Sequence, residues 1–132
     1  MRHSDWENRL SALIEEYRHK PFAWGECDCL RFANDAHWAV AGHGFADDWD
    51  AVPRSSASEA VRAVGGMDVV HAIDERLTRG EGYPPRGSIV AVSSRPGMPF
   101  SLGVAIGSTA AFVDMDGLGF IPIDAHLIWW AV

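Results

Sequence analysis

Residues 78–87 carry three glycines and two prolines and separate two differently patterned parts of the chain. Before this segment, apolar residues recur at the three-to-four-residue spacing of amphipathic helices. After it, short apolar runs alternate with turns, which is typical of strands. Helices followed by an antiparallel meander predict an α+β fold, with N-terminal helices packed on a small sheet. Neither part is long enough for a separate domain, so we expect residues 1–132 to form one domain.

Four apolar patterns predict helices in the first part, at residues 4–20, 29–41, 57–64 and 69–77. Pro21 ends the first helix because a proline disfavours helical geometry in the residue before it. Asp28 is a good N-cap for the second helix, which places Cys29 at its first helical position. Residues 45–54 are rich in aspartate, and we expect them to form a polar loop.

The second part predicts strands at residues 89–92, 102–106, 111–113 and 118–121, with a closing strand within 127–132. Six tryptophans are many for 132 residues, and one core does not explain them all. Trp49, Trp129 and Trp130 are therefore candidates for a binding interface. Alternatively, one of the last two faces the core and the other is half exposed, as strand alternation would give.

Charge and composition exclude several function classes. The net charge of −7 argues against binding to nucleic acid or to anionic membranes. No apolar run approaches the ~20 residues that a membrane-spanning helix needs. The first six residues lack the apolar core of a signal peptide, so we expect a soluble chain made in the cytoplasm.

The two cysteines, Cys27 and Cys29, are separated by one residue, and a disulfide closing so small a ring is strained. We therefore expect two free thiols. The same spacing is poor for chelating zinc. Residues 114–117 are similar to the start of a calcium loop, but Ala125 stands where the bidentate glutamate should be. We expect no metal and no cofactor.

Cys29 is the candidate nucleophile of the chain. A cysteine in the first turn of a helix is favoured as a thiolate, because the helix dipole and the free N–H groups stabilise negative charge. The alternative is that Cys29 is a small, buried apolar residue with no chemical role.

A resemblance to a known superfamily is carried by Asp28-Cys29 at a helix start, by residues 85–90 as a turn into the first strand, and by residues 101–104 at the second strand. In this combination the chain resembles the NlpC/P60 superfamily of papain-like cysteine peptidases, which hydrolyse bacterial cell walls. Residues 21–25, 102–107 and 116–118 make it similar to the small NlpC/P60-like proteins encoded among phage and prophage tail genes. The resemblance covers nearly the whole chain and implies a papain-like fold.

The resemblance also implies where a catalytic triad would stand. Cys29 takes the place of the nucleophile, and Asp28 caps the helix before it. Ser101 takes the place of the catalytic histidine, and Asp114 lies near the place of the third member. A serine cannot act as the base for a thiol. His126, in the β-rich part, is the best spare histidine to serve as a substitute base.

Two function classes follow from this resemblance. In the first, the protein is an assembly component of a phage-type tail tip with a degenerate cleft, and it binds tail hub or tail-tip proteins. In the second, it is a peptidase or amidase that cuts peptidoglycan stem peptides during DNA delivery, with Cys29 as nucleophile and backbone N–H groups holding the oxyanion. Ser101 favours the first class. The implied location is the tail of the virion.

Overall fold

The computed structural model of the chain describes residues 2–66, 68–92, 101–125 and 127–132. Within these ranges helices come first and strands follow, so the predicted α+β class is confirmed. The helices are α1 (Trp6–Tyr17), α2 (Cys29–Ala41), α3 (Asp47–Asp50), α4 (Ala57–Ala63) and α5 (Val69–Asp74). The strands are β1 (Ile89–Val92), β2 (Ser101–Ala105), β3 (Thr109–Asp114), β4 (Gly117–Pro122) and β5 (Ile128–Trp130). None of these helices combines the length and the apolar character needed to cross a bilayer.

The five strands form one antiparallel sheet in the order β4-β3-β2-β1-β5. The first four strands are a meander, and β5 returns to the far edge beside β1, as the closing-strand pattern predicts. Residues 78–80, which precede β1, form backbone hydrogen bonds with the outer edge of β5. There the N–H of Ala131 donates to the carbonyl of Thr78, and the N–H of Gly80 donates to the carbonyl of Trp129.

Helix α2 lies at the centre of the fold and contacts α1, α3 and strands β1 to β3. Its inner face is made of Phe32, Ala33, Ala36 and Val40, which are completely buried. The small alanine side chains let the helix backbone approach the sheet closely, and Phe32 fills the space beside Tyr17 of α1. The start of α2, and therefore Cys29, is held firmly against the sheet.

The expectation of a polar loop over residues 45–54 is wrong, because the segment contains α3 and buries Trp49. Two distant side chains hold it in place. The buried Asn34 of α2 accepts hydrogen bonds from the N–H groups of Phe45 and Ala46. The guanidinium of Arg76 lies 3.7 Å from the ring centroid of Trp49. The local sequence pattern carries no sign of either contact.

Trp49, Trp129 and Trp130 are all buried, so the prediction that they form an interface is wrong. The last two face opposite sides of the sheet, as strand alternation predicts, but neither is half exposed. The indole N–H of Trp130 donates to Asp74 at 2.8 Å on the helix side of the sheet. The indole N–H of Trp129 donates to the carbonyl of Gly82 at 3.0 Å on the other side. A Cβ on Gly80 would lie 2.2 Å from the ring of Trp129, so only glycine leaves room for this ring. Both faces of the strand are therefore covered.

The stability of the fold is expected to fall as the pH drops below about 6.5, because His37 of α2 is buried. Burial lowers the pKa of His37 and the charge of His43 adds to this, while the hydrogen bond to the His43 carbonyl opposes it. The unfolded chain therefore binds a proton at His37 more readily than the folded chain does. The contribution of His37 to the free energy of unfolding is present above pH 6.5 and is lost below it, by at most about 1.4 kcal/mol per pH unit. Urea titrations between pH 5 and 7.5 measure the slope. His37→Asn should flatten it, whereas the same change at the exposed His71 should not.

Candidate functional site

Cys29 is the first residue of α2, as predicted, and Asp28 is its N-cap. One carboxylate oxygen of Asp28 accepts a hydrogen bond from the N–H of Arg31 at 3.0 Å, and the other accepts one from the N–H of Gly25 at 2.9 Å. Gly25 has a φ of +75° and lies so close to Arg54 that a Cβ would be 2.9 Å from the Arg54 carbonyl oxygen. Glycine is therefore required at the turn that delivers the chain to α2.

A buried ion pair holds the start of α2 to the segment after α3. The guanidinium of Arg54 binds Asp28 through two hydrogen bonds, of 2.6 and 2.8 Å, and both side chains are 1% exposed. Arg54 also binds the carboxylate of Asp50 at 2.9 Å and donates to the carbonyl oxygens of Asp50 and Val52. The arginine therefore ties the helix start to the loop that leads into α4.

This network keeps Asp28 ionised, and both of its carboxylate oxygens already accept hydrogen bonds. Burial alone would raise the pKa of Asp28, but the hydrogen bonds from Arg54 and from the amides of Arg31 and Gly25 outweigh it and hold the pKa below its ordinary value. A carboxylate with these bonds is a poor proton acceptor. Asp28 therefore positions Cys29 and does not act as its base.

The side chain of Cys29 adjoins a small apolar cavity of about 50 Å³, room for a few water molecules. Its apolar wall is made of Trp24, Leu30, Ala57, Ala60, Val61, Val64, Val69 and Leu102. Asp28 also borders it, but its carboxylate is paired with Arg54. A charged ligand would lose its hydration here without gaining a partner, so the cavity suits an apolar group.

The environment of Cys29 favours the neutral thiol. Burial raises the pKa of Cys29, and the nearby negative charge of Asp28 adds to this effect. The N–H groups of Leu102 and of Cys29 itself, with the positive charge of Arg54, act in the opposite direction but do not outweigh burial. The thiol form of Cys29 is therefore expected to predominate near neutral pH. Cys27 is also a free thiol, buried, with its sulfur 3.8 Å from the carbonyl oxygen of Lys20.

The structure places Ser101 and Asp114 together, on the opposite side of the sheet from Cys29. Side chains alternate along β2, so Leu102 faces the helices while Ser101 faces the other way. Ser101 and Asp114 line a separate surface cavity of about 180 Å³, which Phe112 shares. The residue of β2 next to Cys29 is Leu102, whose backbone N–H stabilises a thiolate there and whose side chain lines the same cavity.

The histidines supply no base at Cys29 within the part of the chain that the structure describes. None of the residues lining the cavity is a histidine. His37 packs against His43 and Phe45, two turns along α2. His126, the candidate substitute base, lies outside the described residues. Among those that are described, no three His, Cys, Asp or Glu side chains are grouped so that they could hold a metal ion.

A family model described as Domain of unknown function (DUF6950) matches residues 1–132. The chain belongs to the DUF6950 family. No curated protein and no solved structure matches it.

Two residues of the site in this DUF6950 chain were not found from the sequence. Arg54 follows Pro53 in an aspartate-rich segment and looks like an ordinary surface arginine, yet it is buried. Leu102 looks like any core residue of a strand, yet its N–H reaches the sulfur. The excess of acidic residues around Arg54 was the available signal for an ion-pair network.

We expect Cys29 to behave as an ordinary or slow thiol. In a Cys27→Ala background, which leaves one thiol, the iodoacetamide reaction rate should keep rising above pH 9, because the pKa of Cys29 is raised above that ordinary value. An activated Cys would instead reach a plateau below pH 7.5. Glutathione in the same buffers provides the reference rate. A plateau between pH 5 and 8 would contradict the prediction.

Proposed function

We propose that the protein is a non-catalytic assembly component of a phage-type tail tip, built on an NlpC/P60 peptidase-like fold. The observation that carries the proposal is the environment of Cys29. Its thiol faces an apolar cavity that no histidine among the described residues lines, and the pKa of the thiol is raised. A cysteine peptidase needs a thiolate and a base within hydrogen-bond reach of it.

The tail context of the proposal rests on the sequence resemblance of residues 21–25, of Asp28-Cys29 and of residues 102–107 and 116–118 to small proteins encoded among tail genes. On this proposal the chain is made in the host cytoplasm, joins the virion tail and binds tail hub or tail-tip proteins. The buried Asp28–Arg54 pair then serves to hold the domain together.

A second candidate function is a peptidase that cuts peptidoglycan stem peptides. It is favoured by one arrangement, in which Cys29 opens α2 and its sulfur receives the N–H groups of Leu102 and of Cys29 itself beside a cavity. In that case Cys29 would attack the peptide carbonyl and backbone N–H groups would stabilise the oxyanion. The apolar wall of the cavity is a poor match for the charged stem peptide.

Genetic replacement separates the two functions. In the phage or prophage that encodes the chain, we expect deletion of the gene to abolish mature tails, and complementation with Cys29→Ala to restore both tails and infectivity. Electron microscopy, plaque titre and mass spectrometry of purified tails measure these outcomes.

Normal tails that fail to infect with Cys29→Ala would favour the peptidase. Normal tails after deletion, with the protein absent from purified particles, would overturn the assembly role. Cys29→Ser provides a second variant that removes the thiol while keeping a side chain of similar size.

A further inference from the structure

A surface groove runs between α1 and α2 and shares no lining residue with the Cys29 cavity. Its floor is apolar and is formed by Ala12, Leu13 and Ala39. Arg9 and Trp38 lie at one end, where the Arg9 guanidinium donates to the carbonyl of Trp38 at 3.1 Å. The other end carries the carboxylates of Glu16 and Asp35. The groove therefore carries the cationic Arg9 at one end and two carboxylates at the other.

Asp35 is a half-buried carboxylate without an ion pair among the residues that the structure describes. It accepts one hydrogen bond, of 2.6 Å, from the hydroxyl of Tyr17. Arg31, one turn earlier on α2, is the nearest candidate cation along the helix, but it pairs with Asp50 at 3.3 Å. A half-buried carboxylate usually has a cationic partner, and among the described residues no cation lies within ion-pair distance of Asp35.

The surroundings of Asp35 add to its need for a cation. Burial raises the pKa of Asp35, and the charges of Asp50 and Glu16 raise it further, against the hydrogen bond from Tyr17 and the positive charge of Arg31. Glu16 has its own partner, Lys20, at 3.3 Å, but both side chains are about half exposed or more and the pair is weak. Negative charge is thus left over at this end of the groove.

Trp38 supplies the second half of a recognition site. It lies three residues after Asp35, so the two side chains are neighbours on the same face of α2. Trp38 is 42% exposed, which is high for a tryptophan, and its indole N–H donates to Asp47 at 2.8 Å. That hydrogen bond fixes the orientation of the ring. A fixed, exposed indole beside a carboxylate is suited to a guanidinium, which can stack on the ring and bind the carboxylate.

We propose that the groove between α1 and α2 binds an arginine side chain of a partner protein, with the guanidinium bound to Asp35, beside Glu16, and stacked on the indole of Trp38. Arginine fits better than lysine because its planar head can contact the indole and the carboxylate at once. The inference rests on the proposed assembly role, for which it names the chemistry of the partner. The groove can be tested on the isolated chain without any tail protein.

The test uses the full chain labelled with ¹⁵N and two seven-residue alanine-rich peptides, one with a central arginine and the other with citrulline, its neutral isostere. We expect the arginine peptide to shift the indole resonance of Trp38 and the amide resonances around Asp35. The citrulline peptide should bind about tenfold more weakly, because it lacks the charge. Asp35→Asn, which can still accept the Tyr17 hydrogen bond, should weaken the binding of the arginine peptide by a similar factor.

Glu81→Gln provides the matched control, because it removes one exposed carboxylate outside the groove. It should leave binding unchanged. Equal binding of the two peptides, equal effects of Asp35→Asn and Glu81→Gln, or shifts confined to other surfaces would each overturn the proposal. If the chain binds the arginine peptide but is absent from purified tails, the groove proposal stands and the assembly role is rejected. The failure of one proposal can therefore be told apart from the failure of the other.

Discussion

Replacing Arg54 with methionine is expected to destabilise the fold by about 3–5 kcal/mol, a large share of the stability of a small domain. Methionine fills much of the space of the arginine side chain but leaves Asp28 as a buried charge without its bidentate partner. It also removes the donors to the carbonyl oxygens of Asp50 and Val52. Both side chains of the pair are 1% exposed, so solvent screens the loss very little. Urea unfolding followed by tryptophan fluorescence measures the change in the free energy of unfolding.

A double variant tests whether the loss of stability comes from the unpaired charge of Asp28. An asparagine in place of Asp28 would still cap α2 but would carry no charge, so Asp28→Asn with Arg54→Met should be more stable than Arg54→Met alone. Arg62→Met, at an exposed position of α4, is the matched control and should change stability by less than about 0.5 kcal/mol. A double variant less stable than Arg54→Met would show that the arginine acts through packing and not through the ion pair.

Local patterns in the sequence were sufficient for most of the secondary structure. The helical spacing, the Asp28 cap and the turn glycines predicted α1, α2, α4 and α5, and the apolar runs predicted the strands. Patterns of this kind involve residues close together in the sequence, so they predict only the elements that neighbouring residues determine. They could not reveal α3, whose position depends on Asn34 and Arg76, 11 or more residues away.

The candidate site was harder to predict because its key contacts connect distant segments. The ion pair joins Asp28 to Arg54 across 26 residues, and the cavity brings α4 next to β2. The burial of Trp129 depends on Gly80, which the sequence presents as an ordinary turn glycine. Residue types alone do not say which aspartate finds which arginine.

The face of the sheet on which Ser101 lies was also beyond sequence reasoning. A shift of one residue in a strand moves every side chain to the other face. A resemblance over residues 101–104 places Ser101 at the position of a catalytic histidine, but it does not fix which of two adjacent side chains faces α2. In the structure that side chain is Leu102, which is 1% exposed and lines the cavity beside Cys29.

This geometry leads to a prediction about creating a reactive thiol. In the Cys27→Ala background, Leu102→His should place an imidazole in the cavity next to the sulfur of Cys29 and allow a thiolate–imidazolium pair to form. We expect the iodoacetamide reaction rate at pH 6 to rise on the order of 100-fold, since the parent thiol is almost entirely protonated at that pH. The substitution removes a core side chain and should cost about 3 kcal/mol, so circular dichroism must first show that the variant is folded.

Ser101→His is the matched control, because it introduces the same imidazole one residue away on the opposite face of β2. It should leave the reaction rate of Cys29 within about twofold of the parent, since the ring cannot reach the sulfur through the sheet. If Ser101→His activates Cys29 and Leu102→His does not, the side chains of β2 alternate in the opposite sense in solution. The loss of the catalytic base would then amount to one substitution at residue 101, and the peptidase hypothesis would gain support. With the expected result, a histidine at residue 101 alone would not provide a base for Cys29.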